Sequence, residues 1–365
     1  MRHTSTSMAA VAIRNNETQI QELDLPELSV DDGLLKVEMV GMCGTDVGNY
    51  SHITRPTILG HHVVGHIEKI GELAAERWGV KEGDRVAMEE YLPCGTCEHC
   101  REGLFRACKF TDSRRGGMRY GNTALDIKPG LWGGFSQYMY LHPNAVVHKM
   151  PTHVPAAEAV FTLPLANGFE WMCLEAGVGI GKTVVVLGPG QQGMACVLAA
   201  KAAGAQVIVV GRQTSVQRLA LCQRLGADAV VNTTIEDPIE RIAQITGGKL
   251  ADVVIDVTSG GTELVTQSFA MVKSRGLVIL AAYKYAKVLE WDSDLVLSKS
   301  ITVKGLRGHS YGAVEMAIQC ISAGRFPISI LHSHNFGLLD VDSALRTAAG
   351  TGEPNPLLVS VSPWQ

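Results

Sequence analysis

The chain is poor in aromatic residues (6%) and in charge (19%), and it has only 14 prolines among 365 residues. It lacks any apolar run near the ~18 residues that cross a bilayer, so no membrane span is expected. Internal repeats and linker-like tracts are also missing, and a hydrophobic content of 46% is too high for a disordered chain. Neither sign of charge dominates: 32 Lys and Arg face 36 Asp and Glu, a formal net charge of -4. A nucleic acid or an anionic membrane is therefore not an expected partner, whereas a small molecule is. The segment from Met1 to Ala10 has one arginine and no apolar core, so it does not read as a secretory leader, and the cytoplasm is the expected compartment.

Glycine is in excess, 39 of 365 positions or about 11% against a usual ~7%, without the three-residue period of collagen. At roughly 150 residues per domain, the length suggests two or three domains. Residues 1–7 are polar, and strand-like patterning starts at Met8. From there to about 150, short apolar runs are broken by glycine and proline: Met8 to Ile13, Leu34 to Val40, His62 to Ile67, Asp84 to Met88 and Phe135 to Leu141. This pattern predicts a β-rich module.

Between 156 and 304 strands alternate with helices. Strands are expected at Thr183 to Leu187, Gln206 to Val210, Asp252 to Val257 and Leu277 to Ala281, with helices at Gln191 to Ala203, Val216 to Leu225 and Glu263 to Val272. Such alternation predicts a doubly wound parallel sheet. Gly204, Gly226 and Gly276 follow helical or near-helical runs, where left-handed caps are expected. After Lys304 come a helix from Gly312 to Ala323, a β-like piece at Ile328 to His332, a helix from Val341 to Ala349 and a strand at Leu357 to Val361. These few elements cannot build a core of their own, so the tail is expected to return to the first module. The domain assignment is thus 1–155 with 305–365, and 156–304.

Four of the nine cysteines crowd into fifteen positions as Cys94, Cys97, Cys100 and Cys108. Four thiolates at C-x2-C-x2-C-x7-C spacing can close a tetrahedral shell around one zinc ion, which leaves no vacancy for substrate and makes the ion structural. The metal-bearing lobe is expected at about 91–110. The run lacks the C-x2-C-x2-C-x3-C-P form of an iron–sulfur site. His99 lies inside the lobe, but the shell is complete without it. Cys173, Cys196, Cys222 and Cys320 fall on predicted helices and read as small buried hydrophobes.

The second signal is Gly188-Pro189-Gly190-Gln191-Gln192-Gly193, placed between an apolar strand and an alanine-rich helix. In that context G-x-G-x-x-G reads as a dinucleotide site: the first glycine turns, the second admits the pyrophosphate and the third packs helix on strand. NAD sites commonly end the next strand in an acid, but here it ends in Gly211 and Arg212. A guanidinium without a carboxylate favours a 2′-phosphate, hence NADP over NAD, with Ser215 and Arg218 as further donors. The third signal pairs Cys43, in Gly41-Met-Cys43-Gly44-Thr45-Asp46, with His61 and His62, in Gly60-His61-His62-Val-Val-Gly65. Soft and borderline ligands on separate glycine-flanked segments suit an open, catalytic zinc site.

Taken together, these motifs resemble the zinc-containing medium-chain dehydrogenase/reductase family, the alcohol, sorbitol and threonine dehydrogenase group. The signature G-H-E-x2-G-x5-[GA] is met at Gly60, His61, Gly65 and Gly71, with His62 in place of glutamate. Gly83-Asp84-Arg85-Val86 and Leu131-Trp132-Gly133-Gly134-Phe135 look like further family landmarks. The resemblance implies an α/β chain with a GroES-like catalytic domain and a Rossmann domain, assembled as a homo-dimer or homo-tetramer. It implies that Cys43 and His61 bind the catalytic zinc and that the Thr45 hydroxyl passes on the alcohol proton. Asn167 stands where a contact to the nicotinamide is implied.

Three departures follow. The relay histidine expected five residues after the cysteine is replaced by Gly48, so solvent takes over, with Tyr50 and His52 read as surface residues. Leu163 stands where the family places a cysteine, aspartate or glutamate, so the implied ligand set becomes Cys43, His61 and His62 with water. Two adjacent histidines reach one ion only if the chain bends beside Gly60. Such a set carries one negative charge against the two of zinc, which strengthens its action on an alkoxide and weakens retention of the metal.

The first functional expectation is an NADP- or NAD-dependent, zinc-assisted alcohol dehydrogenase or carbonyl reductase, its substrate in the cleft between domains. Tyr50, Trp132 and Leu163 hint at an apolar pocket. Leu163 and His62 motivate a second expectation, a reductase of activated double bonds or imines that keeps only the structural zinc. A third is a non-catalytic dinucleotide-binding protein. His142, His148, His153, His332 and His334 receive no role.

Overall fold

The computed structural model describes residues 6–112, 115–259, 261–285 and 292–365. It divides into two compact units: Met1–Leu163 with Ser310–Ala323 and Ser329–Gln365, and Pro164–His309 with Gly324–Ile328.

The first unit is β-rich. Strand β1 (Thr6–Arg14) pairs antiparallel with β2 (Glu17–Asp24), which the sequence pattern missed, and with the two-residue β4 (Thr57–Ile58). Helix α1 (Gly44–Tyr50) follows β3 (Gly33–Gly41). β3 pairs with β5 (His62–Ile70), β5 with β6 (Arg85–Met88) and β6 with β8 (Val147–Lys149), while β7 (Tyr138–Leu141) pairs with the other edge of β3 over Gly33–Lys36. The first strand begins at Thr6, two residues before the expected start, and residues 1–5 lie outside the described set. Leu35, Val40, Ile58, Trp132, Phe135 and Met139 lie in the core of this unit. Tyr50 and Trp132 belong to that core rather than to a surface or a substrate pocket: the Tyr50 hydroxyl donates to Asp342 Oδ1 (2.6 Å) and the Trp132 indole to the Ile127 carbonyl (2.7 Å). An aromatic ring with a polar tip is buried where that tip finds a partner.

The second unit is a six-stranded parallel sheet of β9 (Thr183–Leu187), β10 (Gln206–Gly211), β11 (Ala229–Asn232), β12 (Ala251–Asp256), β13 (Val272–Leu280) and β14 (Thr302–Gly305). The order β11-β10-β9-β12-β13-β14 is the 3-2-1-4-5-6 arrangement of a doubly wound sheet. Its central strands are continuous valine and leucine because helices cover both faces, and Val184 to Leu187 are wholly buried. The connecting helices are α2 (Gln191–Ala202), α3 (Val216–Arg224), α4 (Pro238–Ile245) and α5 (Glu263–Met271). Gly204 and Gly226 adopt the expected positive φ, but Gly276 does not. It lies within β13, where a Cβ would meet Val272 Cγ2 at 2.4 Å, and Arg275 takes the positive φ instead.

The C-terminal residues add helix α6 (Tyr311–Ser322), strand β15 (His332–Gly337), helix α7 (Val341–Ala348) and strand β16 (Leu358–Ser362) to the first unit. β16 pairs antiparallel with β3 and parallel with β15. The β-like piece expected at Ile328 to His332 is a 3-10 turn over Ile328–Leu331, with the strand beginning only at His332.

Candidate metal centres and dinucleotide pocket

Cys94, Cys97, Cys100 and Cys108 converge so that their sulfurs all lie within 4.8 Å of one another. Cys97 and Cys100 are 3.4 Å apart and Cys94 and Cys100 3.9 Å. A tetrahedral zinc shell at ~2.3 Å spaces its sulfurs about 3.8 Å apart, whereas a disulfide needs about 2.05 Å, so the donor set fits the ion and not a bridge. Local structure makes the convergence: the single helical turn Glu98–Arg101 places Cys97 and Cys100 together, and two 3-10 turns bracket Cys108. Hydrogen bonds from Thr96 and Cys97 draw the Cys94 thiol down to about 5, while burial and the neighbouring thiol push Cys100 up to about 12. Four sulfurs in this space thus become thiolates together only with a cation among them.

The second group is assembled from distant segments. Cys43 is the N-cap of α1, and His61 and His62 stand at the entry to β5. One donor atom from each lies within 4.8 Å of the others, and the two rings meet edge to face with centroids 4.7 Å apart. The bend that adjacent histidines need is present, for Gly60 has φ +87°. Phe135 and Val40 crowd the space a Cβ would occupy there, at 2.8 and 3.0 Å. His62 Nδ1 is buried without a hydrogen-bond partner among the described residues. An orphaned nitrogen beside a thiol suits a metal, which would satisfy it. Burial alone would raise the Cys43 thiol, but the His62 charge and hydrogen bonds from both imidazoles lower it to about 5. These three residues therefore fit a zinc ion. Leu163 is buried and apolar and offers no donor.

One carboxylate at this centre was given no role from the sequence. Asp46, wholly buried in the first turn of α1, accepts from Cys43 N (2.9 Å) through Oδ2. Its Oδ1 accepts from Gly60 N (3.1 Å) and from His61 Nδ1 (3.0 Å). It thereby ties both segments together and holds His61 with Nε2 available as a ligand. The signal in the sequence was an acid three residues after the helix cap, where a capping box is closed. Thr45 is exposed, with its hydroxyl 3.7 Å from Cys43 Sγ. His52 is exposed and bonds the Gly48 carbonyl (3.1 Å).

His148, given no role, is buried between two carboxylates: Nε2 lies 3.2 Å from Glu89 Oε1 and Nδ1 2.5 Å from Glu315 Oε1. The Tyr311 ring covers it at 4.4 Å and also meets Phe105 of the cysteine lobe. Burial opposes its charge, but the two carboxylates outweigh burial and raise it above its ordinary value.

In the second unit a pocket of about 1040 Å³ opens at the carboxyl ends of the parallel strands. Its lining includes Gly188, Gly190, Gly211, Arg212, Ser215 and Arg218. Gly188 turns with φ +104°, and a Cβ on Gly193 would fall 1.9 Å from the Gly188 carbonyl, so the first and third glycines are required. A Cβ on Gly190 would meet no atom within 4 Å, which leaves the backbone approachable. Gln191 Nε2 is buried without a partner among the described residues, at the start of α2 where phosphates bind helix N–H groups. The pocket fits a nicotinamide dinucleotide. Gln192 and Asn167 are joined (Nδ2 to Oε1, 3.2 Å), and Asn167 Oδ1 lies 3.0 Å from His309 Nδ1. Of the remaining cysteines, Cys196 and Cys222 are wholly buried and Cys173 and Cys320 partly so. Among the described residues no helix is long and apolar enough to cross a membrane.

The family model for the alcohol dehydrogenase GroES-like domain matches residues 30–152, and that for zinc-binding dehydrogenase matches residues 193–323. The chain is 34% identical to a probable alcohol dehydrogenase of Mycobacterium tuberculosis, covering 92% of this chain and 93% of that one. It is 30% identical to a sorbitol dehydrogenase of Bombyx mori over 97% and 98% of the two chains. Among solved structures, one from Sinorhizobium meliloti bound to NADP superposes with a TM-score of 0.84 at 25% identity, covering 99% of this chain and all (100%) of that one. An alcohol dehydrogenase of Thermotoga maritima superposes at 0.87 with 23% identity over 98% and 99%, a likeness of fold. The chain belongs to the zinc-containing medium-chain dehydrogenase/reductase family and is an NAD(P)-dependent oxidoreductase of the alcohol dehydrogenase type.

Proposed function

We propose that the chain oxidises a small alcohol, or reduces the matching ketone or aldehyde, with NADP(H) as coenzyme and zinc at Cys43, His61 and His62; the apolar pocket expected from Tyr50 and Trp132 is not kept, since both lie in the core. The carrying observation is that these three donors converge within 4.8 Å and that His62 Nδ1 is left without a partner. When bound, zinc supplies Lewis acidity toward the substrate oxygen, and the nicotinamide ring takes up or gives back hydride.

The residues of the chain prepare that chemistry. Asp46 fixes the tautomer and direction of His61, and the imidazoles keep the Cys43 sulfur anionic at neutral pH. The exposed Thr45 hydroxyl accepts the proton of the alcohol and hands it to solvent. Water has room to receive it, because Gly48 is exposed and a Cβ there would meet no atom within 4 Å. Arg212, with Ser215 and Arg218 in the same pocket, supports binding of a 2′-phosphate.

The test is metal analysis of the untreated protein together with turnover. Two zinc ions per chain are expected, with NADP-linked alcohol oxidation that Cys43→Ala abolishes along with one ion. A single zinc per chain, with reduction of enones or imines and no alcohol oxidation, would overturn the reading in favour of a reductase that keeps only the structural ion. Tight NADPH binding with no hydride exchange would leave a non-catalytic binding protein.

The thiol-rich chain suits the reducing cytoplasm. We also propose a homo-dimer or homo-tetramer: the Tyr283 and Tyr285 rings lie side by side, tilted with centroids 6.1 Å apart, and are 61% and 89% exposed, which suits cover by a second copy. Sedimentation at micromolar concentration checks it, and a monomer would refute it.

A further inference from the structure

A doubly wound sheet opens the crevice for its ligand where the order of its strands reverses, which here is between β9 and β12. Gly188 leaves β9 on one side of that crevice, and Val257 and Thr258 leave β12 on the other; all three line the coenzyme pocket. The two sides touch. A Cβ on Gly188 would fall 2.7 Å from Thr258 Cγ2, so the threonine methyl fills the hollow that the first glycine leaves. Leu187 stands level with Asp256 in the strand register, and Val257 N donates to the Leu187 carbonyl (3.2 Å).

Thr258 is gripped by an ion pair to which no sequence motif pointed. Asp256, the last residue of β12, is wholly buried, and its Oδ1 accepts from Thr258 N (2.9 Å) and from Thr258 Oγ1 (2.6 Å). Lys284 lies on the loop after β13, with its side chain 9% exposed and its Nζ 2.7 Å from Asp256 Oδ2. The same ammonium donates to the Thr258 carbonyl (2.5 Å) and to Thr258 Oγ1 (2.8 Å). Ala281 N, donating to the Asp256 carbonyl (3.0 Å), fastens the start of that loop to the end of β12. Three oxygens match the three N–H groups of an ammonium, so none is left over for a phosphate, and Lys284 acts on the pocket through Thr258.

A buried ion pair adds little stability over an apolar pair of the same volume, so stability alone does not account for this one. Its hydrogen bonds converge on a single residue of the pocket wall. We infer that Lys284 is a positioning residue for the coenzyme: with Asp256 it clamps Thr258 against Gly188 and so sets the shape of the glycine turn that faces the dinucleotide. The clamp serves the part of the coenzyme that NADP and NAD share, whereas the proposed 2′-phosphate contacts at Arg212 serve the part in which they differ. It rests on the dinucleotide pocket and not on the zinc centre.

The experiment measures the affinity of the full-length protein for NADPH and for NADH by calorimetric titration, well below the midpoint of thermal unfolding of each variant. Lys284→Met keeps the aliphatic stem and removes the ammonium. It is expected to weaken both coenzymes about tenfold and to leave the ratio of the two affinities within about twofold, whereas Arg212→Ala shifts that ratio. Amides of residues 188–193 should also exchange faster in free Lys284→Met, a change that a lower global stability would not confine to the turn. A folded Lys284→Met that binds both coenzymes as tightly as wild type overturns the assignment. So does a loss confined to NADPH, which would put the lysine at the 2′-phosphate. Should Lys284→Met fail to fold, two variants decide in its place. Asp256→Asn/Lys284→Met leaves no unpaired charge behind and should show the same tenfold loss, and Thr258→Val keeps the methyl, gives up both hydroxyl bonds and should cost about threefold. Wild-type affinity in either one overturns the assignment. If wild type binds neither coenzyme, the dinucleotide reading falls and the clamp falls with it, whatever the zinc content.

Discussion

The two groups of side chains in the first unit that fit a metal ion are built in opposite ways. Cys94, Cys97, Cys100 and Cys108 come from one stretch of chain, and short turns bring them together. Cys43, His61 and His62 come from a helix cap and a strand entry, and Asp46 fastens the two. The first group cannot balance its charge alone, with one thiol drawn to about 5 and another pushed to about 12. In the second, thiol, imidazoles and buried carboxylate already offset one another. The contrast predicts that the closed lobe depends on its ion for its fold and that the open site keeps its shape without one.

The largest effect that could break this contrast is expected at the lobe. Cys100→Ala removes one of four thiolates from a site whose binding free energy is on the order of 10 kcal/mol. Amides of residues 94–112 should lose hydrogen-exchange protection and one zinc should be lost, while NADPH still binds the second unit. Unchanged protection would show that the lobe folds without its metal. Cys43→Ala is the counterpart: kcat/KM should fall on the order of a thousandfold, since several kcal/mol of transition-state stabilisation go with the ion. Its midpoint of thermal unfolding should move by no more than a few degrees. A shift as large as that of Cys100→Ala would erase the distinction.

Smaller changes sharpen it. Asp46→Asn weakens the hold on His61 and should lower affinity at the second centre by about 10- to 100-fold, leaving the lobe ion in place, as competition with a chromophoric chelator would report. In the second unit, Arg212→Ala should raise the KM for NADPH roughly tenfold and leave that for NADH nearly unchanged, given the ~1.5–3 kcal/mol of a charged hydrogen bond. Equal effects on both coenzymes would remove the 2′-phosphate from the argument.

The smallest effect is a pH dependence beside the lobe. His148 is raised above its model-peptide value of 6.5, so its contribution is complete below pH 6.5 and is lost as pH rises through the raised value. Its partner Glu315 is lowered below 4.5, mainly by the hydrogen bond to His148, so that share is complete above pH 4.5 and is lost as pH falls through the lowered value. Wild type should therefore lose stability on going alkaline by an amount that His148→Gln does not, seen as converging denaturation midpoints. Parallel curves would mean that His148 folds uncharged.

Much of this was legible because it is local. The run of valines from Val184, the glycines at 188 and 193 and the cysteine spacing from Cys94 each state their geometry within a few residues, and the structure places β9, its turn and the lobe accordingly. What escaped was set by partners far along the chain. Tyr50 looked like a surface residue until Asp342 came to meet its hydroxyl, and His148 looked idle until α6 delivered Glu315. β2 alternates polar and weakly apolar residues, and only its pairing with β1 makes it a strand.

The sequence by itself determined the coenzyme turn, the four-thiol lobe and the class of fold, since each follows from chain geometry over a few residues and from the period of apolar side chains. Only the tertiary structure decided which carboxylate stands at the Cys43 centre, because Asp46 reaches Gly60 and His61 from a helix cap on a distant segment. Electrostatic interaction depends on distance through space, and no spacing along the chain encodes the approach of residue 46 to residue 61.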